Sequence, residues 1–106
     1  MHTMTASDAN TALEENTAIL IDVREQAEFD QSRIPGAHFV PLSNLVEEIQ
    51  KIDLPKDKNI IFQCLKGGRS AEAIMYLQEG YLAEYTLYNL EGGIIAWAEA
   101  GLPIEE

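Results

Sequence analysis

Apolar positions along the chain follow two alternating rhythms. "TAILIDV" (17–23) is a short, continuous apolar run, the mark of a strand buried on both faces of a parallel sheet. "NIIFQ" (59–63) and "YTLYN" (85–89) repeat it, and "AHFV" (37–40) is a weaker candidate. Between these runs the spacing becomes that of a helix. "SNLVEEIQKI" sets Leu45, Val46, Ile49 and Ile52 on one face, with Ser43 as N-cap. "RSAEAIMYLQEG" groups Ala73, Ile74 and Leu77 and stops at Gly80. "GIIAWAEAG" ends at Gly101, with Pro103 two residues on, and the alanine-rich "ASDANTALEEN" has Thr5 or Ser7 as its cap.

Strands alternating with helices predict an α/β fold, a parallel sheet covered by helices on both faces. The 106 residues suit one domain and show no internal repeat or low-complexity tract to divide them. No apolar run approaches the roughly 18 residues of a membrane span. The start, "MHTMTASDAN", lacks the basic and apolar segments of a secretory signal, so a cytoplasmic protein is expected.

Charge narrows the partners. Seven basic residues against eighteen acidic ones leave a formal charge of −11. Nucleic acid and anionic lipid both require clustered Lys and Arg, so neither is expected as a partner. Two histidines far apart in sequence offer no metal-ligand spacing, and no metal or other cofactor is expected. The chain holds one cysteine, which cannot close an intramolecular disulfide.

That cysteine, Cys64, follows the strand run "NIIFQ", at the carboxyl end where ligands collect on such sheets. Leu65, Lys66, Gly67, Gly68 and Arg69 come next, and a helix is predicted to begin near Ser70. Two adjacent glycines let successive N–H groups turn toward one centre, and the first helical turn adds unpaired N–H groups and a positive dipole end. Lys66 and Arg69 add two cations. The segment therefore reads as a small anion cradle with a sulfur at its mouth. Helix N-termini and nearby cations lower a cysteine pKa from about 8.5, and the thiolate is the form that attacks sulfur or phosphorus.

Four segments in order resemble the rhodanese family of sulfurtransferases in its single-domain form. They are "LIDVREQAEF" (20–29), "RIPGAHFVPL" (33–42), the loop "CLKGGR" (64–69) and "LEGGIIAWAEAGLPI" (90–104), together spanning nearly the whole chain. The resemblance implies a three-layer domain with a five-stranded parallel sheet flanked by helices. It implies a persulfide on Cys64, loaded from a small anionic donor such as thiosulfate with release of sulfite. The sulfur then passes to a thiol or cyanide. The alternative expectation is a sulfur-relay or binding module whose persulfide is loaded and unloaded by a protein partner. The amides of residues 65 to 69 would hold the terminal sulfur anion. The related rhodanese-fold phosphatases place five residues between Cys and Arg, whereas four stand between Cys64 and Arg69, a loop that suits sulfur and crowds a phosphate. Ser32 and Arg33 stand where the family often has Gly-His.

The remaining residues are expected in supporting roles. Asp22 and Arg24 lie near the site, either orienting the loop or forming an ion-pair cluster, with Arg24 and Glu28 at helical i,i+4 spacing. Arg33 is expected to pair with a carboxylate, Trp97 to sit in the core, His38 to be a satisfied structural histidine and His2 to lie in a mobile terminus. Lys66 is expected to favour a dianionic donor, because distant acidic charges are screened beyond roughly 8 Å.

Overall fold

Each apolar run becomes a strand in the computed structural model, which describes residues 1–106. The strands are β1 (His2–Met4), β2 (Ala18–Asp22), β3 (His38–Phe39), β4 (Asn59–Gln63) and β5 (Leu87–Leu90). They form one sheet in the order β1-β5-β4-β2-β3, with every pairing parallel. The helices are α1 (Ala6–Glu14), α2 (Gln26–Gln31), α3 (Leu45–Ile49), α4 (Gly68–Leu77) and α5 (Gly93–Glu99).

Successive residues of a strand point to opposite faces, and the sheet buries both. Ile21, Ile60 and Phe62 pack with Leu45, Ile49, Ile74 and Leu77 on the α3/α4 side. Leu20 and Ile61 pack with Ala9, Ile94 and Trp97 on the α1/α5 side. Trp97 is buried as expected, and its indole N–H donates to the Pro103 carbonyl at 2.7 Å, folding the following tail onto α5. Thr5 caps α1, its Oγ1 accepting from the Asp8 N–H at 3.1 Å.

Three expectations change. His2 lies in no mobile terminus; it is in β1, opposite Tyr88, with ring centroids 5.5 Å apart. Three residues at a sheet edge are too few to print a periodicity. Ser43 does not cap α3. A 3-10 turn at Leu42–Asn44 precedes that helix, and the Ser43 hydroxyl donates instead to Glu25 Oε1 at 2.7 Å. His38 is exposed on its edge strand and makes no side-chain hydrogen bond, so it is not a satisfied structural histidine. Arg33 does pair with a carboxylate, Glu105, at 2.9 Å, beside a short antiparallel backbone bridge between the same two residues.

Candidate active site

In the parallel register Asp22 stands beside Gln63, and Asn89 stands beside Phe62. The carboxyl ends of β2, β4 and β5 therefore converge where Cys64 leaves the sheet. The chain turns at Gly67, whose φ of +117° is a conformation that a Cβ resists, and enters α4 at Gly68. Only the first glycine of the pair needs its freedom, since Gly68 is helical and a Cβ there would meet nothing within 4 Å.

This geometry surrounds the sulfur with donors. The Gly67 N–H points at Cys64 Sγ from 3.1 Å and the Ser70 hydroxyl lies 3.3 Å away. Cys64 is buried, 1 % exposed. Burial pushes its thiol up, but hydrogen bonds from the Ser70 hydroxyl and from the Ser70, Gly67 and Lys66 amides outweigh it. The net result is a pKa below the ordinary thiol value. The donors to Sγ thus come from Lys66 and Gly67 of the loop and from Ser70 beyond it.

The β5–α5 turn holds the loop from behind. The Ile94 N–H donates to the Cys64 carbonyl at 2.9 Å and the Ile95 N–H to the Leu65 carbonyl at 3.3 Å. A planar trans peptide puts its N–H opposite its carbonyl, so the Leu65 carbonyl drawn to α5 sends the Lys66 N–H toward the sulfur. Gly93 makes this approach possible. Its φ is +61°, and a Cβ there would overlap the Leu65 carbonyl and stand 2.7 Å from that of Cys64.

The charged groups are arranged differently from the expectation. Arg24 precedes α2 and does not pair with Glu28. It grips Asp22, with Nη2 2.8 Å from Oδ2, and both residues are buried. Its Nη2 also donates to the Ser32 carbonyl at 2.7 Å. Glu28 takes Arg69 instead, in a two-pronged pair at 2.7 and 2.8 Å. The Arg69 guanidinium hydrogen-bonded to Glu28 outweighs burial and holds that carboxyl at about 2. Arg69 is consequently neutralised as a free cation of the cradle, which leaves Lys66, exposed and unpaired. Glu25 and Glu28 form a capping box at the start of α2, so a continuous polar path runs Ser43–Glu25–Glu28–Arg69.

Two residues of the site do not stand out in the sequence. There Ser70 marks only a helix start, yet it is fully buried with its hydroxyl 3.3 Å from Cys64 Sγ. Asn89 marks only the end of a strand run, yet its side chain bonds both Ser70 and Gly67. The signal for Ser70 was its position in the first turn after the cysteine loop; Asn89, a polar residue inside a buried strand run, carried a weaker one. Beside the loop opens a hollow of about 440 Å³ lined by Arg24, Glu28, Leu65, Ile94, Ile95 and Ile104, among others.

A three-layer α/β domain with its one cysteine in an amide-lined loop at a strand end defines the class. The chain belongs to the rhodanese family, for the model of the rhodanese-like domain matches residues 5–100. It is 42% identical over 87 residues to a protein named sulfurtransferase from Allochromatium vinosum, a match covering 81% of this chain and 77% of that one. It is 36% identical over 84 residues to a probable adenylyltransferase/sulfurtransferase, MoeZ, of Mycobacterium tuberculosis, covering 79% of this chain but 21% of that longer protein. The crystal structure of a rhodanese-related protein from Thermoplasma volcanium superposes with a TM-score of 0.84 at 28% identity, covering 99% and 98% of the two chains.

Proposed function

We propose that the protein is a sulfurtransferase carrying sulfane sulfur on Cys64. The Cys64 thiolate attacks the outer sulfur of a small anionic donor, thiosulfate or a similar compound. A new S–S bond forms, the donor's S–S bond breaks, and sulfite leaves with the electron pair. A thiol or cyanide then attacks the outer sulfur and returns the thiolate, in a two-step covalent cycle.

The observation that carries this reading is the sulfur's position at the focus of the Gly67, Lys66 and Ser70 amides, with a lowered pKa. Fixed donors of this kind need no reorganisation as charge builds. Lys66 and the start of α4 supply the attraction for the donor, since Glu28 holds Arg69. The same pairing weakens a phosphatase reading, because both terminal nitrogens of Arg69 are committed to a carboxylate.

A second reading, a relay module loaded by a protein partner, draws support from the exposed apolar side chains of Leu65 and Ile95 beside the loop. Intact-mass measurement after thiosulfate treatment tests both. The expected result is a gain of one sulfur, about 32 Da, lost in Cys64→Ser, with thiocyanate formed on adding cyanide. Loading only from a persulfidated cysteine desulfurase would select the relay. No sulfur gained from either source would overturn the function, and hydrolysis of an aryl phosphate would revive the phosphatase.

A further inference from the structure

Ser70 has one hydroxyl proton and three acceptors around it. Asn89 Oδ1 lies at 2.6 Å, the Gly67 carbonyl at 3.2 Å and Cys64 Sγ at 3.3 Å. The donor and acceptor inventory decides among them. The Gly67 carbonyl already accepts from Asn89 Nδ2 at 3.0 Å and from the Ala71 N–H at 3.1 Å, which occupies both its lone pairs. The Nδ2 bond also fixes the orientation of the Asn89 amide, because a flipped side chain would set two carbonyl oxygens together. The Ser70 proton is left with two destinations, Asn89 and Cys64.

The charge on the sulfur selects between them. A neutral thiol can donate its S–H to Ser70 Oγ while Ser70 donates to Asn89, so every member of the chain is satisfied. A thiolate only accepts. Ser70 can serve it only by turning away from Asn89, whose Oδ1 then loses its donor on a residue 9% exposed. We propose that Asn89 is a positioning residue acting through Ser70, competing with the Cys64 thiolate for the Ser70 proton and so setting how readily the nucleophile forms. This rests on Cys64 being the nucleophile of the proposed cycle.

No proton leaves Ser70; its hydroxyl rotates. When a persulfide forms, the charge moves to the outer sulfur, Sγ becomes neutral, and the short Ser70–Asn89 bond is restored. Asn89 therefore favours the loaded state over the bare thiolate. Around the sulfur, Lys66 comes from the loop and Arg69 from α4, tied to Glu28 of α2. The paired Asp22 and Arg24 close the β2 end. From β5 the group that enters the network is the uncharged Asn89.

Titration of the thiolate by its ultraviolet absorbance tests this without any turnover. Asn89→Leu removes the competing acceptor at similar volume, and the thiol titration is expected to fall by about half to one pH unit. Ser70→Ala is expected to raise it by a similar amount, and in the double variant the Asn89 effect should vanish. A titration unchanged or raised in Asn89→Leu overturns the proposal. So does a fall of equal size when Asn89→Leu is added to Ser70→Ala. If circular dichroism shows Asn89→Leu unfolded, Asn89→Val, which suits a strand and also lacks the acceptor, carries the same readings. Sulfur loading followed by mass in the same samples separates the two ideas. Expected titration shifts without loading would overturn the sulfurtransferase reading alone, and loading without the shifts would overturn the role of Asn89 alone.

Discussion

Two double-glycine turns meet at the site, and they use their glycines differently. In the cysteine loop, Gly67 alone adopts a positive φ, while Gly68 is an ordinary first residue of α4. In the β5–α5 turn, Gly92 and Gly93 both have positive φ, at +75° and +61°, and Gly93 also lies against the backbone of Cys64 and Leu65. The first turn presents the chemistry. The second shapes it, by holding the Cys64 and Leu65 carbonyls away from the sulfur so that the Lys66 amide faces it. An identical dipeptide thus serves conformation in one place and close approach in the other.

That contrast breaks most visibly at Gly93. Gly93→Ala imposes both an unfavourable φ and an overlap with backbone that cannot move aside cheaply, so a loss of about 3 kcal/mol or more is expected in urea unfolding. Sulfur loading of Cys64 should fall with it, because the Lys66 amide loses its aim.

Gly67→Ala should cost less, about 1–2 kcal/mol, since its Cβ would meet neighbours only at 3.7 Å and the penalty is conformational. Its signature is chemical: the thiol titration should rise as the Gly67 N–H leaves Sγ, which alkylation rate against pH would show.

The Glu28–Arg69 pair, which ties α2 to the base of the loop, responds to acid. Glu28 is lowered from 4.5 to about 2, so its contribution is complete above its unfolded pKa and is lost as pH falls from about 4.5 through about 2. Both side chains are about a third exposed, which discounts the contribution to about 1 kcal/mol. Glu28→Gln should remove that part of the acid dependence, seen as a flatter stability-versus-pH curve over the same window.

The smallest effect belongs to Gly68→Ala. With open space for a Cβ and helical φ, it should be neutral or stabilising by up to about 1 kcal/mol in the same unfolding measurement. A large loss there would mean that the two glycines of the loop are equivalent after all.

Sequence pattern was most informative where one element explains itself. β2 and β4 lie within their apolar runs because a strand buried on both faces needs no partner to announce it. The site at the end of β4 followed from one cysteine, a glycine turn and a helix start in seven consecutive residues. The pattern was least informative where a residue's role depends on what lies across from it. β1 has three residues, and only pairing with β5 makes it a strand. Arg24 stands four residues from Glu28, yet the helix begins after Arg24, so the helical spacing never applies and Asp22 takes the guanidinium.

Local order alone determined the alternation of strands and helices, the placement of Cys64 and the family's four segments, because propensity, periodicity and turn chemistry act over a few neighbours. Tertiary structure decided which charge is free and which is spent, because Glu28 and Arg69 are brought together across 41 residues. It also decided that Gly93 must have no side chain and that Asn89 reaches Ser70. Those facts arise only when the sheet closes and sets the end of β5 behind the loop that leaves β4.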